Sequence, residues 1–331
     1  MCTAISFSTK DHYFGRNLDL EYSYCETVTI TPRNYCFPFH RLPSLPAHYA
    51  IIGMAYVQNN YPLYYDATNE KGLSIAGLNF PGNAHYFPAS DCELSLTPYE
   101  LIPYLLGKCS TVTEACALLS EITLADIPFS KELPLTPLHY LLSDSTGSVT
   151  IEPTEKGVMI HPNPVGVLTN NPPFLTQMFQ LNNYMSLSNA PAANCFSDRL
   201  SLNAYSRGMG ALGLPGDYSS SSRFVRACFV KENSVCGFSE SESLSQFFHI
   251  LGSVAHPRGC VKTAQNDYEI TVYTSCCNTT KGIYYYTTYE NSQITGIDMH
   301  AENLDSQDLI SYPLITEQKI FIQNKNRTFE K

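Results

Sequence analysis

The sequence predicts an α+β fold: two antiparallel sheets stacked face to face, with helices on their outer sides. Three observations point there. Strand-like and helix-like segments come in blocks (strands, helices, strands, helices, strands) without the regular alternation of a parallel sheet. Asn69-Glu70-Lys71-Gly72 and Asp144-Ser145-Thr146-Gly147 carry the Asn/Asp-to-Gly chemistry of hairpin loops. The 331 residues, 44% of them hydrophobic, are enough to bury such layers as one domain over residues 1–331, without repeat or linker.

In chain order, residues 2–8 alternate β-branched, aromatic and small side chains, Lys10-Asp11 supplies a turn, and 12–20 continues with aromatics. Further strands are expected at 26–32, 49–57, 73–80, 138–143, 148–152, 158–161 and 165–169. A late block adds 268–275, 282–289, 294–299 and 314–322. Helices announce themselves by their caps. Thr97-Pro98-Tyr99-Glu100 offers a capping hydroxyl, Pro at the first helical position and Glu three residues on from the cap. Thr111 with Glu114 repeats the pattern, as does Ser239 with Glu242, which precedes Leu244, Phe247, Phe248 and Leu251 on one helical face. Segments 173–187 and 221–233 also read as helices.

Composition excludes several functions. A charged fraction of 15% is well below the ~25% usual for soluble domains, and with this hydrophobic content it excludes a disordered chain. It also hints at surface covered in a homo-oligomer. No run approaches the roughly 18 apolar residues of a membrane span. A net charge of −10 repels phosphate backbones, so nucleic acid is not an expected partner. The N-terminus lacks a basic segment followed by an apolar one, so a secretory signal is not visible.

The 12 cysteines are scattered, with no C-x-x-C, and Cys276-Cys277 is poor spacing for zinc. Most of them read as small buried thiols of a reducing cytoplasm. The nine histidines show no metal-ligand pairing, and His139 in an apolar strand reads as a hydrogen-bonded core residue. Neither a metal nor a cofactor is expected. Asn278-Thr279-Thr280 and Asn326-Arg327-Thr328 match glycosylation sequons by chance.

Chemistry is concentrated at the start. If Met1 is removed, Cys2 carries a free α-amine beside its thiol. With pKa values near 7.7–8.0 and 8.5, the amine is a competent base for its own side chain. One residue then supplies nucleophile and base. Phe14-Gly15-Arg16-Asn17-Leu18-Asp19 follows. A guanidinium near Cys2 would lower its thiol pKa, and a carboxylate would orient the amine. Residues three apart on a strand face opposite sides, so Arg16 and Asp19 both reach Cys2 only if the strand ends or bulges, which Gly15 permits.

These motifs resemble the choloylglycine hydrolase family of N-terminal-nucleophile hydrolases, which includes bile salt hydrolases and penicillin V acylases. The likeness continues through Asn69-Glu70-Lys71-Gly72-Leu73, Ala76-Gly77-Leu78-Asn79-Phe80-Pro81 and Gly166-Val167-Leu168-Thr169-Asn170. It extends through Gly213-Leu214-Pro215-Gly216-Asp217, Ser222-Arg223-Phe224 and Tyr273-Thr274-Ser275-Cys276. The resemblance implies an αββα sandwich, with Cys2 as nucleophile and Arg16, Asp19 and Arg223 in the polar network around it. It implies that Asn79 and Asn170 form the oxyanion hole.

It further implies hydrolysis of glycine- or taurine-conjugated bile salts, since Asn79 matches the bile salt hydrolase version of its motif. Penicillin V acylase is the alternative, and a catalytically silent amphiphile-binding protein is the alternative from another class. Leu18, Tyr24, Tyr64, Ile127 and Phe129 match pocket positions, and the aromatic run 60–65 reads as a substrate-facing loop. A tetramer or dimer is implied, with a protruding segment between about residues 186 and 214.

Overall fold

The computed structural model describes residues 1–89 and 94–324. Cys92 and the sequon at Asn326 lie outside the described residues. The first strands are β1 (Cys2–Ser8), β2 (His12–Leu20), β3 (Thr27–Thr31), β4 (Ile51–Gln58), β5 (Tyr61–Asn69), β6 (Ser74–Asn79) and β7 (Leu94–Leu96). Helices α1 (Leu101–Lys108) and α2 (Val112–Leu119) come next. Strands β8 (Ile122–Leu124), β9 (Leu138–Asp144), β10 (Gly147–Thr154), β11 (Gly157–Pro162) and β12 (Val167–Leu168) follow. Helices α3 (Phe174–Gln180), α4 (Ser220–Glu232) and α5 (Glu240–Gly252) then precede β13 (Ile270–Asn278), β14 (Ile283–Thr288), β15 (Thr295–Asp298) and β16 (Ile310–Pro313).

The strands form two large antiparallel sheets. One has the order β12-β1-β2-β13-β14-β15, the other β11-β10-β9-β6-β5-β4-β3-β16; β7 and β8 make a small parallel pair. Helices α4 and α5 pack on β1, β2, β12 and β13, while α1 and α2 pack on β4, β5, β6, β9 and β10. Contacts of β1 and β2 with β6 join the sheets, giving the expected α-β-β-α layering. No helix among the described residues is long and apolar enough to cross a membrane.

Two apolar clusters hold the layers together. In one, Val28, Met54 and Leu78 of the eight-stranded sheet meet Phe14 and Tyr273 of the six-stranded sheet, and Phe224, Phe247 and Ile250 join from α4 and α5. In the other, Leu101, Leu105 and Leu106 of α1 pack on Ile51, Ala55, Ile75 and Tyr140. Each fully buried side chain of this size contributes about 1.5–3 kcal/mol. The caps act as expected at α2, where the Thr111 hydroxyl accepts the Glu114 amide, and at α5, where Ser239 and Glu242 satisfy each other's amides.

Three expectations fail. Residues 60–65 are not a loop: all but Asn60 belong to β5, which continues to Asn69. Pro62 is tolerated because β6 pairs only with Asp66, Ala67 and Thr68, so at Pro62 no ladder bond is needed on that side. Residues 314–322 form no strand; the last strand is β16, earlier in the chain and paired with β3. Strand β2 neither ends nor bulges at Gly15. That glycine instead admits the neighbouring backbone, since a Cβ there would lie 2.0 Å from the Ser275 carbonyl oxygen. The irregularity is on β13, where the register shifts between Thr271 and Tyr273 opposite Asp19 and Leu18.

Candidate active site

Cys2 begins β1 and pairs with Leu18 of β2, at an end of the ladder where β12, the loop after it and α4 converge. Because side chains alternate along β2, Leu18 and Arg16 share the face of Cys2 while Asn17 and Asp19 take the other. The contacts agree. The Arg16 guanidinium reaches across to the other sheet, donating from Nη1 to the carbonyls of Tyr65 (3.1 Å) and Gly77. Tyr65 is the extra residue of a β-bulge, since Met54 pairs with Asp66 and Ala55 with Tyr64, which leaves its carbonyl outside the ladder. Arg16 is fully buried, and among the described residues its Nη2 has no hydrogen-bond partner. Burial works against its charge, but the surroundings formed by Cys2, Tyr273, Asp66 and Asp19 outweigh it and raise the guanidinium pKa.

On the opposite face, the Asp19 carboxylate accepts from the Thr271 hydroxyl at 2.6 Å. Its other oxygen lies 3.9 Å from Arg223 Nη1 and 3.9 Å from His256 Nε2, and has no hydrogen-bond partner among the described residues. His256 Nδ1 is 2.9 Å from Glu269. The Met1 ammonium lies 3.0 Å from Glu269 and donates to the Asp19 carbonyl at 2.5 Å, extending the β1–β2 ladder by one residue. Burial pushes the Glu269 carboxyl up, but His256 and the ammonium prevail and hold it below its ordinary range.

Arg223, in the first turn of α4, ties the segments together. Nη1 donates to the Cys2 carbonyl and the Thr3 hydroxyl, both at 2.6 Å, Nη2 to Asn170 Oδ1 at 2.8 Å, and Nε to the Tyr218 carbonyl at 3.0 Å. Burial lowers its pKa despite Asp19, Cys2 and Glu269 nearby. Asn170 Oδ1 also accepts the Cys2 amide at 2.8 Å, and Asn170 Nδ2 donates to the Asn79 carbonyl at 2.7 Å. The Asn170 backbone amide is held by Ser220 Oγ at 2.8 Å. This network fixes the side-chain amide with its oxygen toward the Cys2 nitrogen and its NH2 toward Asn79, which stands exposed at the end of β6.

The profile of the family described as linear amide C–N hydrolases, choloylglycine hydrolase family, matches residues 2–312. The chain belongs to this family. It is a hydrolase of linear amide C–N bonds. It is 53% identical over 98% of its length, and all of the relative's, to the bile salt hydrolase/transferase of Lactiplantibacillus plantarum. It is 39% identical to the bile salt hydrolase/transferase of Clostridium perfringens, over 94% of this chain and 96% of that one. Its structure superposes on a mutant conjugated bile acid hydrolase from Clostridium perfringens with a TM-score of 0.91, at 36% identity, covering 98% of this chain and 100% of that one. A penicillin V acylase from Agrobacterium tumefaciens shares the fold alone, with a TM-score of 0.73 at 20% identity over 94% of this chain and 90% of that one.

The six polar residues expected from the family thus converge, whereas the five apolar positions scatter. Leu18 is buried opposite Cys2, and Tyr24 is exposed, tilted against Tyr22 and 6.4 Å from Tyr56. Tyr64 faces away: it is buried in the α1-side cluster, with its hydroxyl on Thr31 at 2.7 Å. Its neighbour Tyr65 packs instead on the cluster containing Cys2, because one step along a strand reverses the face. Phe129 packs against Tyr61 and Tyr99 in the α1-side cluster, and Ile127 is half-buried in the loop after β8. Asp66, His256, Glu269, Thr271 and Ser220 had no local signal; they reach the site only through contacts across 50 residues or more of chain.

Proposed function

We propose that this chain hydrolyses the amide joining a bile-acid acyl group to glycine or taurine, with Cys2 as nucleophile once Met1 is removed. The observation that carries this is the setting of the Cys2 nitrogen, held on Asn170 Oδ1 at 2.8 Å beside Arg223, within a chain 53% identical to a bile salt hydrolase/transferase. Removal of Met1 turns that nitrogen into an α-amine, and takes away the ammonium that occupies Glu269 and the Asp19 carbonyl.

The amine takes the thiol proton, directly or through a water, and the thiolate attacks the amide carbonyl. The Asn170 NH2 and the exposed Asn79 are the donors for the oxyanion; one such donor is worth ~3 kcal/mol. Proton return from the ammonium to the departing nitrogen releases glycine or taurine and leaves a thioester on Cys2. Water then attacks the thioester, with the amine as base, and the bile acid leaves. Leu18 and Tyr65 offer apolar surface beside the nucleophile.

The test is a hydrolysis panel on Met1-free protein with both conjugates and penicillin V. Release of glycine or taurine is expected, and cleavage of penicillin V alone would overturn the substrate assignment. Undiminished hydrolysis by Cys2→Ser would overturn the nucleophile.

The same reading takes the protein to be a cytoplasmic homo-oligomer, a dimer or tetramer. Its eleven described cysteines are free thiols, as suits a reducing compartment, and segment 186–214 exposes Phe196, Leu202, Tyr205 and Leu212. Light scattering of the Phe196→Ser, Tyr205→Ser double variant checks the assembly: a smaller particle is expected, and an unchanged mass would count against it.

A further inference from the structure

Asp66 is a fully buried carboxylate on β5, next to the bulged residue whose carbonyl holds Arg16. Three hydroxyls from the other sheet converge on it. Tyr273 donates to Oδ1 at 2.7 Å; Tyr284 and Ser275 donate to Oδ2 at 2.6 and 3.1 Å. The Ser275 hydroxyl also accepts the Arg16 backbone amide at 3.1 Å, so one side chain links the carboxylate to the arginine's strand. Nothing in the mechanism above uses this cluster. Isolated carboxylates are not buried between sheets without recompense, and here three donors and a nearby guanidinium provide it.

We propose that Asp66 is a positioning residue for the reaction: an ionised carboxylate that anchors the Arg16 side of the site and moderates the positive field Arg16 casts on the Cys2 thiol. The charged and titratable groups facing the pair are few. Asp66 meets Arg16 from β2, Tyr273, Ser275 and Cys277 from β13, and Tyr284 from β14. Cys2 feels the charge of Arg16, which also faces Asp19 and Tyr65, and of Arg223 from α4, which itself faces Asp19. Burial raises the Asp66 pKa, and Arg16 with the three hydroxyls opposes that rise. Arg16 is therefore shared between two anions, and removing one leaves more of its field for the other.

The inference rests on Cys2 being the nucleophile, and the test separates the two. Alkylation of Cys2 by iodoacetamide is followed against pH by mass spectrometry of the tryptic peptide spanning residues 2–10, in parallel with amide hydrolysis. In Asp66→Asn the acid limb of the alkylation profile should move to lower pH by about half a unit, an approximately threefold faster reaction near pH 6. Should that variant not fold, the Tyr273→Phe, Tyr284→Phe double variant serves. With only Ser275 donating, Asp66 takes its proton at higher pH, and the limb moves the same way but less. A folded variant whose profile superimposes on the wild type overturns the proposal. Full hydrolysis by Cys2→Ser would instead overturn the underlying reading.

Discussion

Arg16 and Arg223 lie on opposite sides of the same sheet beside Cys2, both almost without exposed surface, and their guanidinium groups are satisfied in different ways. Arg223 spends its donors on the Cys2 carbonyl, Thr3, Asn170 and Tyr218, joining β1, the loop after β12 and the start of α4. Arg16 meets three backbone carbonyls, those of Asn17, Tyr65 and Gly77, and keeps Nη2 without a partner among the described residues, on the face that carries Cys2. Their pKa values move oppositely: burial prevails at Arg223, and surrounding negative charge prevails at Arg16. Each guanidinium nitrogen of Arg223 is committed to the fold, as befits a clamp. The nitrogen that Arg16 leaves over fits the proposal that it stabilises the Cys2 thiolate.

The largest expected effect concerns the residue they share. Cys2→Ala should lower kcat by about 10³-fold or more while leaving the melting temperature nearly unchanged; a merely tenfold loss would remove the reason for comparing the arginines. The arginines themselves should then part company. Arg223→Met, which takes a donor from Asn170 Oδ1 and from the Cys2 carbonyl and leaves buried Asp19 without that counter-charge, should cost about 3–5 kcal/mol in urea unfolding. Arg16→Met should cost less stability, because Asp66 can take a proton, yet lower kcat/KM by about 10²–10³-fold. The reverse pattern would break the distinction.

Asn170→Ala sharpens the picture. It removes the proposed oxyanion donor while Arg223 keeps its other partners, so kcat should fall about 10²-fold with KM near its original value. The smallest effects separate two neighbouring tyrosines. Tyr65→Ala should raise KM for a conjugated bile salt about tenfold. Tyr64→Ala should destabilise the fold by about 3 kcal/mol and leave KM alone, because its ring packs in the α1-side cluster.

Which parts of this were legible in the sequence follows from how local each signal is. The layering, the capped helices α2 and α5, and the hairpin at Asn69–Gly72 could be read because caps, turns and strand periodicity act over a few residues. Strand β5 was hidden by Pro62 and a cluster of tyrosines that read as a loop. The missing fact was that no strand pairs there on the β6 side. Tyr64 matches a family pocket position, but motif matching does not show which face a side chain takes, and the bulge at Tyr65 beside it leaves little trace in sequence. Gly15 was given a local role as a kink, whereas its role is distant, admitting the backbone at Ser275. The catalytic candidates were recognisable from family motifs, but their division between two faces depends on which sheet packs behind each. Asp66 and His256 were invisible for the same reason.

The most direct test compares two forms of one protein, the Met1-free chain and the chain that retains Met1, separated by intact mass and assayed for release of glycine or taurine. Activity should follow the fraction of molecules that begin at Cys2, with the Met1-bearing form inactive because its Cys2 nitrogen is a peptide nitrogen and cannot take a proton from the thiol. Equal turnover by the two forms would contradict the account.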